Sequence, residues 1–151
     1  MEAATIIRSL AATEIDAVAD LWYRTGRAAY PYLPNWQALT PELARRVFRE
    51  HIAGRCDVFV AERDGAIVGY LALVGSYLDR LYVDPPQQGR GVGSALLEHA
   101  RRLSPLGLEL HTHQQNAAAR VFYERHGFVA VRFGVSPPPE NAPDVEYHWR
   151  P

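Results

Sequence analysis

The sequence has no lysine, and this absence limits the chemistry open to the protein. All 16 basic residues are arginine. A lysine nucleophile, a Schiff base and the lysine of a P-loop are therefore excluded. The single cysteine, Cys56, excludes an internal disulfide and favours a reducing, cytoplasmic location. Because Cys56 lies at the start of a predicted strand, we expect it to be a small structural residue and not a nucleophile.

Long hydrophobic runs and an excess of charge of one sign are also missing. No apolar run reaches the roughly 18 residues of a membrane span, and the first ten residues lack the composition of a signal peptide. The formal net charge of −1 gives no reason to expect nucleic acid or a membrane surface as a partner. With 48% hydrophobic residues, the chain is expected to form one globular domain over residues 1–151.

The hydrophobic pattern predicts an α/β (α+β) fold. Seven short apolar runs bounded by turn residues predict strands, with Asp64-Gly65 as a hairpin turn between two of them. Helical spacing predicts two early helices capped by Thr13 and Thr40, and two later ones after the glycine-rich turn and after Asn116. The irregular segment 30–36 is predicted to belong to neither. We expect a mixed, mostly antiparallel sheet of six to seven strands flanked by about four helices.

The stretch "LYVDPPQQGRGVGSALL" has the features of an anion-binding turn between a strand and a helix. Gly89, Gly91 and Gly93 alternate within it, which lets the backbone approach a ligand. The free N–H groups and the dipole at the start of a helix favour phosphate, and Arg90 adds a cation. A plain turn would normally need one glycine, so the pattern favours anion binding.

Two other phosphate motifs match less well. A Walker loop is excluded because it requires lysine. A dinucleotide fingerprint would use Gly89 and Gly91, with Glu109 as the acid that binds the ribose twenty residues after Gly89. Against it, the third small position would be Ser94, and Glu109 lies inside its strand. A dinucleotide-binding oxidoreductase therefore remains the less favoured alternative.

Gln88-x-x-Gly91-x-Gly93 resembles the Q/R-x-x-G-x-G/A pattern of the GNAT superfamily of N-acetyltransferases. The element order and the segment "NAAARVFYERHGF" extend the resemblance over almost the whole chain. It implies a GNAT-type acyl-CoA N-acyltransferase fold and transfer of acetyl from acetyl-coenzyme A to a primary amine of a small molecule or peptide. A sensor that binds acetyl-coenzyme A without turnover is the other alternative. The resemblance is to bacterial relatives, and it leaves a homodimer open.

The resemblance also implies which residues hold acetyl-coenzyme A. The backbone of Leu81 and Val83 would pair with the pantetheine arm like an added strand, and the Val83 N–H would polarise the thioester carbonyl. The fourth and fifth strands would separate to admit the cofactor. The pyrophosphate would lie on the N–H groups of Gln88, Gly89, Arg90, Gly91, Val92, Gly93 and Ser94.

Asn116 and Tyr123 lie seven residues apart on a predicted helix. They project from about the same face, roughly 10 Å apart along the axis. On residue type alone, Asn116 is a simple N-cap and Tyr123 a core aromatic. The spacing that they share with the family favours a functional interpretation instead. The resemblance implies that Asn116 contacts the pantetheine and that Tyr123 protonates the departing thiolate.

Amide formation also needs a base, because an alkylamine is protonated at neutral pH. Many relatives carry a glutamate on the fourth strand where this chain has Tyr77. Asp79, two residues further along and therefore on the same strand face, is the first candidate. Glu109 is the second candidate and an ordered water the third. The alternative for Asp79 is a surface carboxylate beside Arg80.

The acceptor side carries weaker signals. The aromatic residues of the first two helices and their connection either receive an apolar or cationic amine or belong to the core; they are Trp22, Tyr30, Tyr32 and Trp36. Tyr77 and His111 are expected on the substrate side, where His111 is a polar group or a proton acceptor, with His113 in the following loop. No third ligand lies near these two histidines in sequence, so we expect no metal. The proline-rich segment 136–143 is either a connector or a stiff cover over the site.

Overall fold

The computed structural model describes residues 4–151, in which seven strands form one sheet. The order across the sheet is β1-β2-β3-β4-β5-β7-β6, and every pairing is antiparallel except that of β4 with β5. The strands are β1 (Ile6–Ser9), β2 (Asp57–Arg63), β3 (Ala66–Val74), β4 (Tyr77–Val83), β5 (Leu108–His113), β6 (Val129–Val135) and β7 (Pro143–Trp149). The predicted mixed, mostly antiparallel sheet is therefore confirmed.

Within residues 4–151, five α-helices cover the two faces of the sheet. They are α1 (Ile15–Ala29), α2 (Pro34–Ala38), α3 (Pro41–Val47), α4 (Val92–Leu103) and α5 (Ala117–Arg125). The chain continues from α3 as a wider π-helical stretch, Phe48–Ala53. Helices α1 to α3 pack on one face and α4 and α5 on the other.

Two of the local signals act as the sequence predicts. The Leu43 N–H donates to Thr40 Oγ1 at 3.2 Å, so Thr40 caps α3. Asp64 and Gly65 join β2 to β3 with φ values of 51° and 77°. A tight hairpin turn of this kind needs two residues in the left-handed region, which Asp and Gly adopt more readily than most residues.

Two local expectations are wrong. Thr13 does not cap α1, because it lies inside a 3-10 turn that leads into the helix, and the Glu14 carboxylate accepts the Ala11 N–H there at 2.9 Å. The segment predicted to be irregular contains the short helix α2. Pro34 takes the first helical position, where its missing N–H costs nothing, and burial of Trp36 holds the helix in place.

The alternation of β2 shows how one sheet supports two cores. Val58 and Val60 pack under α1 and α3, whereas Phe59 and Ala61 pack under α4. Successive side chains of a strand point to opposite faces, so each core takes every second residue.

The buried face of α4 is formed by Val92, Leu96, Leu97 and Ala100. Leu103 is 52% exposed, because it is the last residue of the helix and extends past the edge of the sheet contact.

The sheet opens between β4 and β5. Their only paired residues are Tyr77 and Glu109, at the start of β4, so the strands separate towards Val83. The register between β3 and β4 also shifts, which leaves Asp79 without a partner as a β-bulge. The predicted separation of the fourth and fifth strands is confirmed, and the bulge adds a bend that the sequence did not predict.

Among residues 4–151, none of the helices combines the length and apolar composition that crossing a bilayer requires.

Candidate active site

A cleft of about 1390 Å³ occupies the gap between β4 and β5. Its walls are formed by these two strands, the end of α1, the first turns of α4 and α5, and the loop between β6 and β7. The glycine-rich turn stands at one end, and Tyr77 with His111 at the other. The cleft therefore joins the predicted anion site to the predicted acceptor side.

The edge of β4 presents backbone groups to this cleft. The Asp84 N–H donates to Val68 O at 2.8 Å, so Asp84 faces β3. Because alternate residues of an antiparallel strand face opposite neighbours, the N–H groups of Leu81 and Val83 face the gap. The side chain of Gln88 donates to Val83 O at 2.9 Å and ties the following turn to the same edge. An extended ligand chain can therefore pair with β4.

The glycine-rich turn leaves donors free at the start of α4. Gly89 and Gly91 have φ values of 79° and 84°, and a Cβ at either position would face open space. The first bond within α4 runs from the Ala95 N–H to Gly91 O at 3.0 Å. The N–H groups of residues 92–94 therefore have no acceptor within the helix, which leaves them available to an anion.

Not every residue of the turn contributes in the same way. A Cβ at Gly93 would lie 3.2 Å from the Phe122 ring, so this glycine lets α4 pack against α5. The Gln88 N–H already donates to Pro85 O at 3.2 Å. Arg90 lies outside the cleft lining, and its carbonyl accepts a hydrogen bond from Arg63 at 3.2 Å.

The remaining two members of the predicted pyrophosphate site also differ from each other. The side chain of Val92 is buried in the core, so only its N–H faces the turn. Ser94 lines the cleft, and its hydroxyl is 3.0 Å from His126 Nε2 at the end of α5. His126 carries no signal in sequence, because only the packing of α5 beside α4 brings it here.

Asn116 and Tyr123 both line the cleft from α5. Asn116 Oδ1 accepts the Ala119 N–H at 3.1 Å, so its role as a helix cap is confirmed. Tyr123 is 7% exposed, and its ring packs on Phe128 and Phe122. Burial, with a smaller contribution from Tyr82, raises the pKa of Tyr123 above its usual range. This phenol therefore keeps its proton at neutral pH and can donate it.

The two predicted bases lie in different places. Asp79 lines the cleft, but its carboxylate is 3.4 Å from Arg80 and 3.8 Å from Arg55, and Cys56 contacts it as well. Glu109 lies outside the cleft lining and pairs with Arg150 at 3.1 Å. The dinucleotide interpretation needs Glu109 beside the glycine-rich turn, and the structure does not bring the two together.

Cys56 lies just before β2, half-buried. Burial and the nearby Asp79 carboxylate raise the pKa of the Cys56 thiol. A thiol that keeps its proton is a poor nucleophile, which agrees with a structural role.

Tyr77 and His111 meet at the acceptor end. Tyr77 Oη is 2.8 Å from His111 Nδ1, and His111 Nε2 is 3.5 Å from Glu146 Oε1. All three residues line the cleft. Burial raises the pKa of Tyr77 to about 12, with smaller contributions from Asp79 and Asp144.

The four predicted acceptor aromatics divide into two groups. Tyr30 and Trp36 line the cleft, with ring centroids 6.0 Å apart. Trp22 is a core residue, buried edge-on against Trp36 at 5.1 Å. Tyr32 packs against Tyr30 from outside the lining. The aromatic segment therefore contributes both to the core and to the acceptor wall.

His113 and Glu140 are cleft residues that the sequence did not predict. His113 is the buried last residue of β5 and not part of the following loop, and its Nε2 lies 2.9 Å from Glu140 Oε2. The hydrogen bond from His113 lowers the pKa of Glu140. This pair ties the proline-rich loop to the cleft wall. Residues 113 and 140 are far apart in sequence, so only the fold brings them together.

His111 and His113 contact different carboxylates, Glu146 and Glu140. Within the described residues, no three His, Cys, Asp or Glu side chains gather as metal ligands.

The strand edge, the free donors and the volume of the cleft fit an acyl-coenzyme A, whose pantetheine arm needs an extended partner and whose pyrophosphate needs N–H donors. Fold and site together define an acyl-coenzyme A-dependent acyltransferase. Residues 54–130 match the family model of the acetyltransferase (GNAT) domain. The chain belongs to the GNAT family and is an acetyl-coenzyme A-dependent N-acetyltransferase.

Named relatives and a solved structure agree with this assignment. The peptidyl-lysine N-acetyltransferase YjaB of Salmonella typhimurium is 35% identical over 109 residues, covering 72% of each chain. The peptidyl-lysine N-acetyltransferase YiaC of Escherichia coli is 27% identical and covers 83% of this chain and 84% of its own. The solution structure of apo-form YjaB from Escherichia coli superposes with a TM-score of 0.81 at 26% identity, covering 97% of each chain.

Proposed function

We propose that the protein acetylates the primary amine of lysine side chains in proteins or peptides. The observation that carries this proposal is the excess of carboxylates in the cleft lining, where Asp79, Glu140, Asp144 and Glu146 outnumber the guanidinium groups of Arg80 and Arg132. Such a lining attracts a cation, and Tyr30 and Trp36 add aromatic faces that favour an ammonium group. The names of YjaB and YiaC support the same acceptor class.

The proposed reaction is direct attack of the amine within a ternary complex. Bound acetyl-coenzyme A supplies the acetyl thioester and leaves as the free thiol. The N–H groups of residues 92–94 hold the pyrophosphate at the start of α4. The outward N–H groups of Leu81 and Val83 align the pantetheine arm, and the Val83 N–H polarises the thioester carbonyl.

Tyr123 acts as the general acid in this proposal. Its hydroxyl is protonated at neutral pH, as that of any tyrosine is, and burial disfavours the phenolate further; the proton is therefore present for transfer to the departing sulfur. Asn116, two turns earlier on α5, contacts the pantetheine. We place the enzyme in the cytoplasm, because a single cysteine suits a reducing compartment.

Two measurements test the proposal. Calorimetric titration should show binding of acetyl-coenzyme A and none of NAD or ATP. Release of free thiol is then followed with a peptide that has a blocked amino terminus and one internal lysine. The matched control is the same peptide with arginine in place of lysine. Because the protein contains no lysine, acetyl-lysine detected by mass spectrometry must belong to the acceptor.

We expect thiol release only with the lysine peptide. Binding of acetyl-coenzyme A with turnover of a small diamine, such as 1,4-diaminobutane, and not of the peptide would refute the peptidyl acceptor and leave the transferase assignment intact. Absence of acetyl-coenzyme A binding would contradict the cofactor site itself.

A further inference from the structure

We propose that Tyr77, His111 and Glu146 form a proton relay that takes the proton of the acceptor ammonium group. The inference rests on the proposed amine acetylation and names the base which that reaction requires. Tyr77 touches the substrate, His111 receives the proton, and Glu146 positions His111.

The distances form a continuous chain across three strands. Tyr77 Oη on β4 is 2.8 Å from His111 Nδ1 on β5, and His111 Nε2 is 3.5 Å from Glu146 Oε1 on β7. His111 and Glu146 are directly paired in the β5–β7 register, so the sheet itself holds them together. Tyr77 joins them because β4 and β5 pair at this one position.

The chemistry of the partners sets the direction of transfer. The negative charge of Glu146, 3.5 Å from Nε2, favours the imidazole tautomer that carries hydrogen on that nitrogen. The lone pair of Nδ1 then faces the Tyr77 hydroxyl, which donates to it. The Tyr77 oxygen retains lone pairs directed at the cleft. Its proton remains available at neutral pH, because burial keeps the pKa of Tyr77 high, at about 12.

The two carboxylates expected from sequence are less suited to the task. Asp79 is held between Arg80 and Arg55, and Glu109 binds Arg150 outside the cleft. Tyr77 stands at the position where the family resemblance puts a glutamate, four residues before Leu81 on the strand that lines the pantetheine path. In this chain the relay takes the place of that glutamate.

The proton balance closes without a further reactant. The ammonium proton passes to Tyr77 Oη while the Tyr77 hydroxyl proton passes to His111 Nδ1, which leaves a neutral amine and an imidazolium ion beside Glu146. The amine nitrogen forms the C–N bond and the C–S bond breaks. As the C–S bond breaks, Tyr123 gives its proton to sulfur, and the second proton of the nitrogen returns to the Tyr123 oxygen. His111, whose side chain is 42% exposed, releases the first proton to solvent.

Several other charged groups lie near His111, some of them in contact with its partner Glu146. His148 and Arg132 contact the same Glu146 carboxylate, at 2.6 and 3.7 Å. Glu109 precedes His111 on its own strand and is neutralised by Arg150. The groups that face His111 from neighbouring strands are Tyr77 and Asp79 from β4, Arg132 from β6, and Asp144, Glu146 and His148 from β7.

The test compares kcat/KM against pH for the wild type and for Tyr77→Phe and His111→Gln, with the lysine peptide as acceptor. Each substitution should lower kcat/KM at neutral pH about 10²-fold or more, the usual contribution of a general base. The loss of activity towards acid pH marks protonation of the base in the wild type; in His111→Gln it should instead follow protonation of the lysine amine itself, at about pH 10. Tyr23→Phe and His51→Gln are matched controls outside the cleft and should behave as the wild type.

Two further variants separate a relay from a merely structural contact. Combining Tyr77→Phe with His111→Gln should cost no more than about threefold beyond either single change, because the two residues act in series. Glu146→Gln should move the acid limb of the pH profile to lower pH, since the imidazolium ion loses its carboxylate. A structural role would leave the limb in place and make the losses multiply.

Failure of the relay and failure of the proposed function would give different results. If the wild type releases thiol and the acid limb is unchanged in His111→Gln and Glu146→Gln, the relay is wrong and the transferase stands. If the wild type binds acetyl-coenzyme A but does not acetylate the lysine peptide or 1,4-diaminobutane, the proposed amine acetylation is wrong and the relay falls with it. Because Tyr77→Phe keeps the ring and His111 is exposed, thermal unfolding of these two variants should match the wild type.

Discussion

At the scale of single residues, the proposed role of Tyr123 depends on the proton that its hydroxyl keeps at neutral pH. Any tyrosine is protonated there, and desolvation within the aromatic contacts of α5 raises the pKa of Tyr123 further. The same side chain also fills the core beneath α5. The structural and the catalytic interpretations of Tyr123 are therefore compatible, and one measurement separates their contributions.

Tyr123→Phe keeps the ring and removes only the hydroxyl. We expect kcat to fall by about 10²-fold or more, because a general acid contributes this much to proton transfer. Acetyl-coenzyme A affinity should stay within about threefold of the wild type, as measured by calorimetry. Tyr23→Phe, on α1 and away from the cleft, is the control. Unchanged turnover across the pH range would show that Tyr123 is only a core residue.

Residue type by itself did not distinguish one carboxylate from another. Asp79 and Glu109 both lie on strands that flank the cleft, and both were candidate bases. In the fold, Arg55 and Arg80 engage Asp79, and Arg150 takes Glu109. The sequence contains no signal that marks Glu146 as a site residue, because its neighbours His111 and Arg132 come from two other strands.

At the scale of elements, the left-handed glycines serve two different purposes. Gly91 and Gly65 have similar φ values, 84° and 77°, and a Cβ at either would face open space. Gly65 only turns a hairpin, whereas the open space beside Gly91 is the proposed phosphate site. The left-handed backbone conformation explains why glycine occurs at both positions. The proposed ligand gives a second reason at Gly91 only.

Substituting each of these glycines by alanine separates the two purposes. Gly91→Ala and Gly65→Ala should both lower the free energy of unfolding by about 1–2 kcal/mol, the usual cost of a left-handed alanine. Only Gly91→Ala should weaken acetyl-coenzyme A binding, by about tenfold, or about 1.4 kcal/mol. Calorimetry and urea unfolding measure the two effects. Equal affinity in both variants would remove Gly91 from the proposed site.

Helix α2 depends on a close contact that the sequence pattern did not reveal. Gly26 on α1 lies against the ring of Trp36, and a Cβ there would overlap that ring. The same contact brings Trp36 to the cleft wall. A five-residue helix is too short to be stable by itself, so its existence follows from packing.

Gly26→Ala sets helix propensity against packing. Alanine should favour α1 by about 1 kcal/mol, but displacing the Trp36 ring costs about 1–3 kcal/mol, so we expect net destabilisation. Ala17→Gly, at an exposed position of the same helix, measures the propensity alone and should cost about 1 kcal/mol. Urea unfolding followed by circular dichroism gives both values. A more stable Gly26→Ala protein would contradict the contact.

At the scale of the whole molecule, one sheet supports both cores. Strands β2 and β3 contribute side chains to the α1–α3 face and to the α4–α5 face, so neither core can separate without breaking strands that the other needs. We therefore propose that residues 1–151 form one cooperative domain, as the length and composition of the chain predict.

The tryptophans allow a direct test of this cooperativity. Trp22 and Trp36 lie in the α1–α3 core, and Trp149 packs against the other. In Trp149→Phe, fluorescence should report only the first core, yet its unfolding midpoint should coincide with that from far-ultraviolet circular dichroism. Separate midpoints would indicate two domains.

Ligand binding should stabilise this domain as a whole. Acetyl-coenzyme A at about 100 times its Kd should add about 2.7 kcal/mol to the free energy of unfolding, and NAD should add nothing.

Local patterns in the sequence were enough by themselves to predict many of the strands, helix ends and turns of this protein. The alternation of apolar residues, the Thr40 cap, the Asp64-Gly65 turn and the glycines before α4 each depend on neighbours within a few residues. Such features can be inferred because dihedral preferences and hydrophobic periods act over short range. The same local signals occur in the order that is typical of the GNAT family. This resemblance implied acetyl-coenzyme A as the co-substrate.

Only the tertiary structure decided which side chains meet at the acceptor end. His111 reaches Tyr77 and Glu146 because three strands from distant parts of the chain pair in one register, and His113 reaches Glu140 through a folded loop. The bulge at Asp79 and the short helix α2 likewise follow from contacts across the sheet and between helices. Register and packing are long-range properties, since a shift of one residue would turn each of these side chains to the opposite face.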